Sequence, residues 1–400
     1  MSEWKKVTLD QMGIISRGRS KHRPRNDARL FGGSYPFIQT GDIGSAGLYV
    51  TEYSQTYNEE GLAQSKLWEK DTLCITIAAN IADTALLAFP ACFPDSIMGF
   101  TPHKNIANVK FVKYCFDVLQ KDCQQISQGT AQDNLSWKKL STILFPCPPI
   151  EIQNKIATIL SRYDSLIENY QKQIKLLEES AQRLYKEWFI DLRYPGHENT
   201  KIVDGVPEGW EKKKIKDLVD LKSGYAFKSS AFVEKGKYKI VTIKNVKDGV
   251  FDGDNVSYLN SVPEKMPSHC ILQTGDILLS LTGNVGRICM VVGDNYLLNQ
   301  RVAKLESKFP AFTYCLFRHY DTFVAINNLA NGAAQQNVSP IRIGEMDMLV
   351  ANDKIMHHFE NVVENIRTNI LNLFSQIRHL TEARDRLLPK LMCGEVIVNH

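Results

Sequence analysis

The chain has 400 residues, 44% of them hydrophobic and 23% charged, with a formal net charge of +4, an ordinary balance for a chain with room for two or three cores. No apolar run approaches the ~18 residues of a membrane span and the opening MSEWKKVTLD holds no apolar signal region, so a cytoplasmic protein with no membrane partner is expected. The cysteines form no C-x-x-C pair and no Cys/His cluster at zinc-ligand spacing, which points to reduced, mostly buried thiols.

The opening WKKVTLDQMGIISRG (residues 4–18) is amphipathic and ends in a glycine turn. Next comes RGRSKHRPRNDAR (residues 17–29), where Arg17, Arg19, Lys21, Arg23, Arg25 and Arg29 stand with His22 against a single acid, Asp27. Its Pro, Gly and Asn predict a loop, and a guanidinium-rich loop suits phosphates and guanine edges; a solvated charge run is the competing reading. YPFIQTGDIG (residues 35–44) is a short β-rich run broken at Asp beside Gly, and KDTLCITIA (residues 70–78) is a further strand-like run. FPCPP (residues 145–149) then leads into a long helical pattern. From Ile152, apolar positions recur at Ile156, Ile159, Tyr163, Leu166, Tyr170, Ile174, Leu177, Ala181, Leu184 and Trp188, a single stripe in steps of three and four. A helix of about 40 residues is roughly 60 Å long, and one with a single apolar stripe needs a partner. Pro148 and Pro149 mark its start, Pro195 and Gly196 its stop.

The second half repeats this order at an offset of about 205 residues, a period that signals domain duplication. WEKKKIKDLVDLKSG (residues 210–224) answers the opening, YKIVTIKNVKDG (residues 238–249) answers YPFIQTGDIG, and GDILLSLTG (residues 275–283) answers KDTLCITIA. GAAQQNVS (residues 332–339) matches GTAQDNLS (residues 129–136) without a gap. The closing stripe returns as Ile355, Phe359, Val362, Ile366, Ile370, Leu373, Ile377, Leu380, Leu387 and Leu391, with Pro389 expected to kink or end the last turns. The two helices are expected to pair with each other through Ile156, Ile159, Leu166, Ile174, Leu177 and Leu184 on one side and Phe359, Val362, Ile370, Leu373, Ile377, Leu380 and Leu387 on the other.

Catalytic and metal signatures are missing from the sequence. There is no G-x-x-x-x-G-K-[ST] loop, no G-x-G-x-x-G, no H-E-x-x-H and no G-x-S-x-G. FPCPP is similar to the N/D-P-P-Y/F signature of base-modifying methyltransferases, but Cys147 replaces the polar residue that would hold the target amino group. His357 and His358 are neighbours on a helix, point to different faces and make no metal pair.

PCPPIEIQNKIATILSRYDSLIENY resembles the start of the first conserved helix in DNA specificity subunits of Type I restriction-modification enzymes. KEWFIDLRYPGHE followed by VPEGW resembles that family's junction between halves. The second copy departs from the pattern, since ANDKIMHHF lacks the Pro-Pro and Glu-Gln start. The resemblance implies an α+β architecture. Two mixed α/β target recognition domains (residues 1–149 and 210–352) would stand in pseudo-two-fold arrangement, joined by two long conserved helices forming an antiparallel coiled coil (residues 150–193, and 353–400 with a tail), with a linker at residues 194–209. It implies a bipartite asymmetric DNA target, one half per recognition domain. It also implies double-stranded DNA, two modification (methyltransferase) subunits and two restriction (ATP-dependent translocase and nuclease) subunits as partners. S-adenosylmethionine, ATP and Mg would sit on those partners, with no cofactor, metal or catalysis on this chain. A protein-binding adaptor and an enzyme with its own methyl transfer or nuclease activity are the alternative readings.

Base edges are read mostly by Arg, Lys, Asn, Gln, Ser and Thr on loops and helix starts. The first copy offers Arg17, Arg19, Lys21, Arg23, Arg25, Gln39, Thr40, Gln132 and Asn134. The second offers Lys222, Lys228, Lys244, Asn245, Asn284, Arg287, Gln300, Arg301, Gln335, Gln336 and Asn337, with Tyr225 and Phe227 interleaved among its first lysines. For any single Asn or Gln, a turn or cap role competes with base reading.

Overall fold

The computed structural model describes residues 4–78, 80–127, 135, 137–330, 336–396 and 398. The chain forms two compact units, Met1–Asn169 with His379–His400, and Tyr170–Arg378. The division falls inside both long helices, Ile150–Tyr185 and Asp353–Met392, so each unit holds one repeat and a stretch of each helix.

In the first unit a five-stranded sheet runs in the order Gly13–Arg17, Ile97–Pro102, Leu73–Thr76, Thr84–Leu87, Tyr49–Val50. All neighbours are antiparallel except the last pair. Leu73–Thr76 and Thr84–Leu87 are buried at every position, as short apolar runs covered on both faces are. Successive residues alternate between two cores. Leu73, Ile75, Leu86, Met98 and Phe100 join Phe111, Val112 and Phe116 of helix Val109–Ser127. Cys74, Ala85, Leu87 and Ile97 join Ile38, Ile43, Trp68 and Phe93.

The second unit carries the same scaffold. Its first sheet has the order Asp220–Ser223, Val302–Glu306, Ile277–Ser280, Ile288–Met290, which repeats the first four strands of the other unit. Ile277, Leu279, Ile288 and Met290 again face one core and Leu278 and Cys289 the other. A second four-stranded sheet is built on Tyr238–Val241, which pairs with Ser257–Leu259 as Phe31–Phe37 pairs with Gln55–Tyr57. Each repeat is closed by an antiparallel pair joining its first strand to the strand before its long helix, Lys5–Val7 with Phe145–Cys147 and Glu211–Lys214 with Asp347–Val350.

Sequence alignment of the copies slips by one residue at KDTLCITIA. The structural counterpart of Gly275 is Asp71, not Lys70. Both hold the left-handed conformation, at φ 96° and 64°, and both amides donate across the sheet at 2.9 Å, to Val291 and Leu87 respectively. Asp tolerates that conformation better than most residues, so the positions are interchangeable in the backbone although the letters differ.

The long helices measure 36 and 40 residues, about 54 and 60 Å. Gln153 ties the first to its repeat: it is fully buried, donates to the Pro148 and Ile106 carbonyls at 2.8 and 2.9 Å, and accepts the Asn108 amide at 3.0 Å. Asn352 caps the second helix by accepting the Ile355 amide, and Pro389 stands in its last turn. Beyond Tyr185 the first helix continues as a π turn, Lys186–Ile190, whose extra residue per turn brings the adjacent Trp188 and Phe189 to the buried side together.

Within each unit the helix stretches run antiparallel. Trp188 and Tyr185 stack edge-on with Phe359 in the second unit, and Asp164 pairs with Arg384 at 2.6 Å in the first. Ile156, Ile174, Phe359 and Ile370 are buried as expected. Leu177, Leu184, Leu373 and Ile377 pack on the second unit's core, Ile159 and Leu387 on the first's, and Leu380 is half-buried. Leu166 and Val362 are corrections. They are 37% and 39% exposed, while the next residues, Ile167 and Val363, are buried. The interior row also contains carboxylates, Asp164 and Glu360, which shift the stripe away from the purely apolar series. Asp164 accepts the Tyr114 hydroxyl as well as Arg384. Glu360 accepts the Ala311 and Phe312 amides at 2.8 and 3.0 Å, capping helix Pro310–Arg318, and burial raises its pKa. All nine cysteines are free, and only Cys147 and Cys393 are not buried. Among the described residues no helix is long and apolar enough to cross a membrane.

Candidate nucleic-acid interface

The sheet register places a set of loops at one end of each scaffold. Arg17 lies opposite Met98, Thr76 opposite Ile97 and Ile75 opposite Thr84, so the segments after Arg17, after Thr76 and before Ile97 leave from the same end. Backbone bonds knit them together. The Gly18 amide donates to Ile97 and the Arg19 amide to Phe93, Ile38 donates to Cys92, Ile77 to Ser96, and Leu135 to Ile77. The second unit repeats nearly every bond. Gly224 donates to Val302, Tyr225 to Leu298, Leu281 to Arg301, and Val338 to Leu281. The loop after the third strand in sheet order is closed identically in both. Thr76 donates its hydroxyl to the Asn80 carbonyl and accepts the Asp83 amide at 3.0 Å; Ser280 donates to the Asn284 carbonyl and accepts the Arg287 amide at 3.1 Å.

In the first cluster the basic loop is partly neutralised by its own acids. Arg25 Nη2 donates to both oxygens of Asp95 at 2.6 and 2.8 Å, and Arg23 stands 3.8 Å from the same carboxylate while donating to the Ser20 and His22 carbonyls. Asp27 takes Arg29 and His22, and the Arg29 hydrogen bonds, with His22 beside them, hold its carboxyl far below the usual range. Gln64 Oε1 accepts the Lys21 and His22 amides at 2.6 and 3.0 Å, pinning the loop's middle. Arg17, Arg19 and Lys21 are exposed and have no ion-pair partner among the described residues. Gln39 and Thr40 are half-buried at the start of helix Thr40–Ser45. The Gln39 amide donates to Asp42 and its side chain to Gln55, which is cap chemistry. Gln132 and Asn134 lie outside the described residues, as does Gln335 in the second copy.

The second cluster keeps its charges free. Lys228, Lys244 and Arg301 are exposed and Arg287 half-buried, and none has an ion-pair partner among the described residues. Asn284 and Gln300 are exposed beside them. Gln336 accepts the Gly283 amide through its carbonyl, and Asn337 accepts the Thr282 hydroxyl at 2.9 Å, so Asn337 pins its segment to the loop after Ser280. Two candidates are corrected. Asn245 is fully buried: its Oδ1 accepts the Thr242 amide and its amide group donates to the Asp252 and Asn255 carbonyls at 2.8 and 3.0 Å, so it staples a turn, as Asp42 does in the first unit. Lys222 points along the sheet and is held by Glu306 at 2.5 Å with Asp220 at 3.5 Å.

Asn80, the exposed counterpart of Asn284, was missed by sequence reasoning because the one-residue slip hides the equivalence. The counterparts of Arg287, Gln300 and Arg301 in the first unit are Asp83, Asp95 and Ser96. Burial raises the pKa of Asp83, which accepts Gln120 at 2.8 Å. Among the described residues no group of three or more His, Cys, Asp or Glu side chains is arranged to hold a metal ion.

Two copies of one scaffold, each presenting a polar loop cluster at a single sheet end, define a duplicated recognition protein. Residues 1–179 and 207–346 match the family model described as Type I restriction modification DNA specificity domain, and the chain belongs to that family. The MjaIX Type I specificity subunit of Methanocaldococcus jannaschii is 24% identical, aligned over 100% of this chain and 94% of the relative. The HindI specificity subunit of Haemophilus influenzae is 22% identical over 99% and 100%. Among solved structures, the Type I restriction-modification S subunit from M. genitalium shares the fold with a TM-score of 0.63 at 17% identity, covering 97% of this chain and 96% of that one.

Proposed function

We propose that the chain reads a bipartite, asymmetric DNA sequence, one part at each loop cluster, as the specificity subunit of a Type I restriction-modification complex. One observation carries the reading. The same strand order and loop bonds occur twice, but equivalent loop positions hold different side chains: Asp83 against Arg287, Asp95 against Gln300, Ser96 against Arg301. Identical readers would take a symmetric site; these are built to take different bases. Phosphates would be met by the free cations Arg17, Arg19, Lys21, Lys228, Lys244 and Arg287, and base edges by exposed polar groups at the loop tips.

In this reading the long helices act as the spacer that sets how many base pairs separate the two parts of the target. The chain supplies recognition and docking surfaces in the cytoplasm. Two methyltransferase subunits bring S-adenosylmethionine, and two restriction subunits bring ATP, Mg and the nuclease, while this chain catalyses nothing itself.

The test is methylome sequencing of a host expressing the chain with its neighbouring modification subunit against a host expressing that subunit alone. A new two-part adenine-methylation motif that depends on the chain is the expected result. An assembled complex with no new motif overturns the reading.

A further inference from the structure

In the second unit the turn that carries Lys244 is held from behind. Arg318, the last residue of helix Pro310–Arg318, donates to Glu178 Oε2 at 3.0 Å and also pairs with Asp248 in the turn. Glu178 belongs to the first long helix and accepts the Tyr314 hydroxyl at 2.7 Å. The guanidinium and this glutamate are mostly buried, at 17% and 15% side-chain exposure, whereas Asp248 is 71% exposed. Gly249 permits the close approach. Its φ is +73°, and a Cβ there would lie 3.1 Å from Arg318 Nη2 and 3.2 Å from Glu178 Oε2. On the front of the same turn Lys244 is exposed, and Ile243 Cδ1 would lie 3.4 Å from a Cβ at Gly283, in the loop after Ser280.

An exposed ion pair such as Arg318–Asp248 contributes little by itself. Here the cation is held in place, because leaving would strand the mostly buried Glu178 carboxylate without a counter-charge, with only the Tyr314 hydroxyl on it. Arg318 is therefore a stationary post, and Asp248 and Gly249 seat the turn against it. In the first unit the equivalent turn approaches Glu168 of the same long helix directly, with a Cβ at Gly47 falling 3.0 Å from Glu168 Oε1.

We infer that Arg318 and Asp248 are positioning residues for the second part of the DNA target, setting the turn on Glu178 so that Lys244 is presented in one orientation. The inference rests on the proposed recognition of DNA. Its physical basis is preorganisation, since a turn ordered before binding has no ordering cost to meet on the DNA.

The experiment uses the full chain assembled with its modification subunits. Affinity is measured for a duplex carrying the motif found by methylome sequencing and for duplexes with either part scrambled, alongside the melting temperature. Asp248→Asn should weaken binding to the intact duplex by about two- to fivefold, the scale of one exposed ion pair. It should reduce discrimination against the scrambled second part by the same factor, leave discrimination of the first part and the melting temperature unchanged, and be rescued by Asp248→Glu. Arg318→Gln should act in the same direction and also lower the melting temperature. Unchanged discrimination in Asp248→Asn, or equal loss for both parts, overturns the inference. A wild-type complex with no preference for either part overturns the DNA reading itself, and the inference with it.

Discussion

The two loop clusters share a backbone and differ in how they handle charge. In the first, positive charge comes in the loop after Arg17, and two of its arginines face Asp95 while another faces Asp27. In the second the corresponding segment, between Asp220–Ser223 and Tyr238–Val241, is about as long, and the cations Lys244, Arg287 and Arg301 stand on the cluster's own loops with no ion-pair partner among the described residues. The first reader is thus a latched loop over a partly acidic base, the second a bare basic surface. A scaffold whose bonds run through backbone amides and a few hydroxyls leaves the outward side chains free to change without disturbing the fold.

The largest expected effect comes from stripping the second cluster. Replacing Lys244, Arg287 and Arg301 with Gln should lower DNA affinity by about 1–3 kcal/mol for each side chain that reads a base. The slope of log affinity against log salt should become shallower by about 0.9 for each phosphate that is no longer neutralised. A slope equal to wild type would show that these residues do not meet DNA.

Stripping Arg17, Arg19 and Lys21 should shift the slope similarly, whereas Arg25→Gln should change it by well under about 0.9, the value for one neutralised phosphate. Arg25 is already engaged by Asp95. Equal effects would erase the distinction between latched and free cations. Asp95→Asn, measured against random-sequence DNA, should tighten binding severalfold by releasing Arg25, with no change in melting temperature.

The smallest effect concerns pH. The Asp27 carboxyl is depressed in the folded chain by its Arg29 and His22 contacts, so its latch is complete above the ordinary carboxylate range and is lost only as pH falls through the depressed folded value. Because its partner Arg29 is 73% exposed, the pair contributes little and global stability should hardly move. A carboxyl chemical shift titrating at an ordinary Asp value would show that the latch is open in solution.

The sequence by itself determined the duplication, the two long helices, and the placement of most candidate readers on loops. Those features rest on local signals that need no folded context: prolines before Ile150, Gly196 in the left-handed conformation after the first helix, and apolar steps of three and four. Tertiary structure alone decided which polar residues are free. Asn245 and Asn284 look alike in sequence, yet one fills the inside of a turn and the other faces outward. Arg25 loses its freedom to an acid 70 residues away, and Asp164 sits inside the helix pair because Tyr114 and an arginine 220 residues away satisfy it. A side chain's availability depends on what lies within a few ångströms, and folding brings those neighbours from positions that no periodicity or local pattern encodes.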